Sequence, residues 1–199
     1  SRTVIREAVS RLKAEGMLSS RQGRGAFVAS DRPRQGFAIP ERDMESQRKL
    51  EQILELRMGL EIEAAAIAAA RATPEACQEI QRAAAAYDQS NKIGGPAVAS
   101  GVSADLAFHR AVCEATGNSY YLSLFNYLVA SLRETMLAGR LQALKRGGES
   151  RDAIQEHYDI AASIAQGDAE RARQRMRDHL QMSSGRLLAQ LKTEDGLGE

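Results

Sequence analysis

The sequence has no tryptophan, four prolines, two cysteines and 5% aromatic residues. Few prolines and heavy alanine usage favour helices over a chain of short strands and turns. Cys77 and Cys113 cannot build a disulfide framework and read as free thiols of a cytoplasmic protein. The longest uncharged apolar stretch, Ala64 to Ala70, falls far short of the roughly 20 residues that span a bilayer. No charged-then-apolar leader opens the sequence, so nothing points to secretion or to a membrane. Glycine-rich phosphate loops, serine elbows and CxxC pairs are also missing, as are internal repeats. What remains is a 199-residue chain with 43% apolar and 27% charged residues. That is a globular composition, with ample length for a buried core.

Neither sign of charge dominates, with 27 basic against 26 acidic residues, but the distribution is uneven. The first 34 residues carry eight basic and three acidic side chains; the rest carry 19 and 23. A small basic end joined to a mildly acidic body suggests two modules, the first facing a polyanion.

Residues 2–15 have a helical period, with Val4, Ile5, Ala8, Val9 and Leu12 at three- and four-residue spacing. Ser1 suits the N-cap and Gly16 the C-terminal stop. Met17-Leu18 starts a strand, residues 21–25 form a basic turn with two glycines, and Ala26 to Ala29 return as a second strand. Pro33, Gly36 and Pro40 break every period in the linker that follows. Helices are then expected over 45–71, 74–89, 102–115, 119–145, 150–165 and 168–192, with a loop at 91–100. Thr73-Pro74 and Asp168 provide starts; Gly117, Gly147-Gly148 and Gly167 provide stops. The predicted fold is mainly α, an all-α antiparallel six-helix bundle behind a helix and hairpin. Its parts are residues 1–30, a linker at 31–44, the bundle at 45–192 and a tail at 193–199.

A helix with a basic N-terminal half can enter a DNA major groove. Ser1, Arg2, Thr3 and Arg6 project from its first turns, while Gln22 and Gly23 at the hairpin tip can approach the backbone or minor groove. Ser1 to Val9, Leu12, Glu15 to Leu18 and Gln22 to Val28 resemble, without a gap, the winged helix-turn-helix of the GntR family of bacterial transcription regulators. The resemblance implies that Ser1, Arg2, Thr3 and Arg6 contact operator DNA, with Gln22 and Gly23 at the wing. The family domain has two further helices before this point. The numbered sequence is therefore expected to be a fragment with a partial winged helix-turn-helix, one that binds operator poorly on its own.

All three histidines lie in the body. Asp105 and His109 are four apart and share a helix face. His157 sits between Ile154 and Ala161, and His179 falls in the stripe Ala172, Met176, Leu180, Ser183 and Leu187. One carboxylate and three imidazoles thus point from three helices toward one core, and a shared divalent cation satisfies all four. Taken singly, each histidine is explicable as an ordinary residue hydrogen-bonded to a neighbour; three with an i, i+4 carboxylate favour the cation. Arg57 lies within the apolar seam Leu50, Ile53, Leu54, Leu60, Ala64 and Ile67, an unfavourable place for a guanidinium. A carboxylate partner offsets that cost, whether from Glu61, from Asp105 or from a ligand.

Residues 54–57, 105–109, 116–118, 156–157 and 167–170, with Met176 and His179-Leu180, resemble the FCD effector-binding domain of the FadR-like branch of the same family. Its metal-binding members use an Asp and three His in this order, matched by Asp105, His109, His157 and His179. An arginine at the place of Arg57 faces the effector in those domains; Arg133 and Asn118 are further effector-binding candidates. The resemblance implies a homodimeric regulator, such as a repressor. Operator affinity would answer to a small carboxylate, of the hydroxy-acid or sugar-acid class, bound beside Zn, Ni or Mn. The alternatives are a metal-dependent enzyme acting on a small carboxylate, and a regulator that senses the metal itself.

Overall fold

A computed structural model describes residues 2–14, 17–21, 25–29, 39, 46–92, 98–145 and 151–191. Contacts divide the chain into two compact units, Ser1–Ile39 and Pro40–Glu199. The linker expected at 31–44, the hairpin tip at 22–24, Gly16, Gly147-Gly148 and the tail at 193–199 lie outside the described residues, apart from Ile39.

The first unit holds α1 (Arg2–Ala14) and an antiparallel hairpin of β1 (Leu18–Arg21) and β2 (Gly25–Val28), with Leu18 opposite Val28 and Arg21 opposite Gly25. Gly25 takes φ of 86°, a conformation that disfavours any side chain. The chain turns from helix to hairpin through Met17, whose N–H donates to the Leu12 carbonyl at 2.9 Å and whose carbonyl accepts from Ala29 at 2.8 Å. The apolar face expected on α1 is only partly covered. Val4 and Ile5 are 64% and 65% exposed, because no described element of this unit packs over them.

The second unit contains α2 (Gln47–Arg71), α3 (Pro74–Lys92), α4 (Val98–Ala115), α5 (Ser119–Lys145), α6 (Arg151–Ala165) and α7 (Ala169–Leu191). These are the six helices expected, and their local signals work as read. Thr73 Oγ1 accepts from the Ala76 N–H at 3.3 Å at the start of α3, and Asp168 Oδ1 from the Arg171 N–H at 3.0 Å at the start of α7. Gly117 and Gly167, with φ of 68° and 72°, end α4 and α6 in the left-handed turn that glycine favours.

The loop expected at 91–100 is shorter than its glycines and proline imply. Helix α3 continues through Asn91 to Lys92, and α4 begins at Val98. Gly101 therefore sits inside a helix. A Cβ there would come within 3.0 Å of the Arg140 guanidinium, so this glycine clears space for a side chain of α5.

Helix α2 is the hub and packs on α4, α5, α6 and α7, while α3 packs on α4 and α6. Its second half is lined by Ala64, Ala65, Ala68 and Ala69, all buried, and such small side chains let neighbouring helices approach closely. Phe108, Phe125, Ile160, Met176 and Leu180 fill the remaining core. Each large buried apolar side chain contributes about 1.5–3 kcal/mol. Around the middle of α2 the interior turns polar: Arg57, Glu61, Asp105, His109, His157 and His179 are all buried.

Candidate metal and effector site

Asp105 and His109 come from successive turns of α4, His157 from α6 and His179 from α7. Each offers one ligating atom, and the four atoms lie within 4.8 Å of one another. The three histidines are essentially solvent-free. Their rings are neighbours, with centroids 5.5 Å apart for His109–His157, 5.0 Å for His109–His179 and 4.6 Å for His157–His179.

The outward nitrogens fix the tautomers. His157 Nδ1 lies 2.6 Å from the Ala153 carbonyl and His179 Nδ1 lies 2.7 Å from Glu156 Oε2. His109 Nδ1 lies 2.5 Å from Glu61 Oε2, at ion-pair distance but outside hydrogen-bond alignment. Carbonyl and carboxylate oxygens only accept, so each Nδ1 carries the hydrogen. With the hydrogen on Nδ1, each ring turns its Nε2 lone pair to the centre. His109 Nε2 and His179 Nε2 face each other at 3.1 Å. His157 Nε2 stops 3.4 Å from Asp105 Oδ1 and has no hydrogen-bond partner. Three lone pairs and a carboxylate thus converge with no donor between them. A buried acceptor-only cluster is unfavourable by itself and is the donor set that a divalent cation takes.

Charge follows from the surroundings. Burial lowers His179 to about 4 against the pull of Glu156, so the ring is neutral near pH 7. Burial raises the Asp105 carboxyl, but its polar surroundings, with Arg57 as the fixed positive charge, outweigh it and hold Asp105 ionised, well below the usual range. Burial also raises Glu61, yet Arg57 and His109 outweigh it and bring it to about 2.

A cavity of about 200 Å³ opens beside the cluster. Asp105 and His179 form part of its wall, together with Arg57, Arg140 and Arg186. Arg57 is only 4% exposed, and its Nε donates to Glu61 Oε1 at 2.5 Å. Its Nη2 is buried without a hydrogen-bond partner.

Comparison with known proteins decides the family. Residues 52–182, well over half of the chain, match the FCD domain, and residues 1–28 match the bacterial regulatory proteins of the gntR family. This chain belongs to the GntR family and carries an FCD domain. It is a transcription regulator, not an enzyme. The HTH-type transcriptional regulator LutR of Bacillus subtilis is 30% identical over 182 residues, spanning 90% of this chain and 81% of that protein. The Uxu operon transcriptional regulator of Escherichia coli is 28% identical over 196 residues, spanning 98% and 76%. Among solved structures, E. coli McbR/YncC shares the fold with a TM-score of 0.65 at 19% identity, covering 93% of this chain and 83% of that one.

Regulators of the GntR family bind operator DNA, and FCD domains bind small-molecule effectors. In the N-terminal unit of this one, Arg6 is exposed on α1, and Arg2 and Thr3 belong to the same helix; Ser1, Gln22 and Gly23 lie outside the described residues. In the FCD domain the four expected metal ligands meet, with Arg57 at the adjoining cavity. Two expected effector residues are not among those that line it. Arg133 is exposed and donates to Ser103 Oγ at 3.2 Å, and Asn118 Oδ1 accepts from the Tyr120 N–H at 3.0 Å at the start of α5. The cavity arginine of α5 is Arg140, two turns further on. It donates to the Tyr87 hydroxyl at 3.3 Å and lies over the Tyr87 ring. Arg186 and Tyr87 carry no sequence signal of their own, and Glu156 only its place in the FCD resemblance, since their roles arise only where helices meet.

Proposed function

We propose that this regulator controls operator binding through a small carboxylate effector held beside a divalent cation in its FCD domain. Asp105, His109, His157 and His179 would hold the cation, whose charge neutralises the converging lone pairs and attracts an anion. The orphaned Nε2 of His157, aimed among acceptors only, is the observation that carries this reading. Arg57 would bind the carboxylate of the effector, because its Nη2 is a buried donor without a partner in a residue that lines the cavity. A donor in that state gains more from a charged acceptor than an exposed one does. The reading needs neither Arg133 nor Asn118.

Residues 1–30 would be the DNA-reading head, 31–44 its linker and 45–192 the sensing domain, with 193–199 a tail. Two copies acting in the cytoplasm would place two heads on a near-palindromic operator. The effector shifts operator affinity only by its differential affinity for the two head arrangements. The cavity favours an organic effector over the cation as the signal, since a cation alone would leave about 200 Å³ beside Arg57 without a use.

Native mass spectrometry of freshly purified protein, followed by thermal melts of the metal-loaded chain with hydroxy acids and sugar acids, tests the proposal. One divalent cation per chain is expected, with at least one acid raising the melting temperature in wild type and not in Arg57→Met. A metal-loaded protein indifferent to every acid would refute the effector reading.

A further inference from the structure

Each inward-facing histidine nitrogen depends on what the other ring nitrogen touches. Glu156 Oε2 accepts from His179 Nδ1 at 2.7 Å, and the same carboxylate accepts from Arg186, with Nη2 to Oε2 at 3.1 Å and Nη1 to Oε1 at 3.3 Å. Glu61 repeats the pattern on α2, with Oε1 at 2.5 Å from Arg57 Nε and Oε2 at 2.5 Å from His109 Nδ1. Arg57 and Arg186 both line the cavity. Two carboxylates therefore each join one cavity arginine to one histidine, and both have lone pairs enough for the two partners.

We propose that Glu61 and Glu156 are positioning residues for the cation site, holding His109 and His179 in the tautomer that turns Nε2 inward and joining them to the two cavity arginines. This rests on the cation reading above. A carboxylate behind a ligating imidazole fixes ring orientation and raises its basicity. Arg186 acts through Glu156, because its two N–H contacts hold that side chain in the one place where it meets His179. Direct electrostatics would act in the opposite sense, since removing a cationic arginine would strengthen cation binding. The two explanations therefore separate by sign.

Glu61 is fully buried and its replacement risks the fold, so the half-buried Glu156 carries the test. The full chain is titrated with Co²⁺ against a chromophoric chelator, and imidazole nitrogens are read by NMR in the metal-free protein. Glu156→Ala is expected to weaken Co²⁺ about 10–100-fold and to give His179 a mixture of tautomers. Glu156→Gln, which keeps an acceptor oxygen, should recover part of that loss. Arg186→Gln should weaken Co²⁺ about fivefold in wild type and add nothing in the Glu156→Ala background. Wild-type affinity and tautomer in Glu156→Ala, or an Arg186→Gln loss that persists undiminished beside it, overturns the proposal. A wild-type chain that takes up no Co²⁺ defeats the cation reading separately; the tautomer comparison then decides by itself whether Glu156 positions His179.

Discussion

The middle of α2 and its alanine-rich C-terminal stretch present the same helical face to the interior and do opposite things with it. Positions 57 and 61 carry buried Arg and Glu; positions 64, 65 and 68 carry alanines with no exposed surface. The alanine stretch is stabilised by close approach and dispersion, and each contact there is non-directional. The polar stretch is held by a few directed contacts, Arg57 to Glu61 and Glu61 to His109. Small-residue packing tolerates no added volume, whereas the polar stretch tolerates no lost partner. A single helix thus anchors the bundle along its C-terminal stretch and builds a binding site at its middle.

That contrast can be sharpened by substitution along the same face. Arg57→Met removes one partner of a buried ion pair and leaves Glu61 short of its main counter-charge. Chemical denaturation of the metal-free protein should show a loss of about 3–5 kcal/mol. Ala65→Leu adds volume to the packed stretch and should cost about 1–3 kcal/mol. It should leave cation stoichiometry intact, as measured by metal analysis; loss of the cation there would erase the distinction between the two stretches. Arg173→Gln breaks the mostly exposed pair with Glu63, which also links α2 to α7. The smallest change of the three is expected in the same denaturation measurement, because exposed pairs are screened by water and pay side-chain entropy.

Much of this was legible from the chain alone, for identifiable reasons. Helical period and caps placed six helices, and the i, i+4 spacing of Asp105 and His109 put both on one face. The stripes around His157 and His179 pointed them inward. Errors arose where a tertiary contact decides a local feature. The loop expected at 91–100 gives way to α4 from Val98, and Gly101 stands inside that helix with the Arg140 guanidinium in the space a Cβ would take. Glu156 is the sequence neighbour of His157, yet adjacent helix residues face apart, and it serves His179 across the α6–α7 contact. Arg133 and Arg140 are seven apart on α5, and nothing in the spacing distinguishes which turn meets the cavity.

Whether four side chains of the FCD domain form one cation site is decided by metal analysis of a double substitution. Wild-type protein, stripped and reloaded, should carry one divalent cation per chain, and His109→Ala with His157→Ala should carry none while retaining its helical circular dichroism. A folded double variant with full cation stoichiometry, or a wild-type chain that never takes one up, would contradict it.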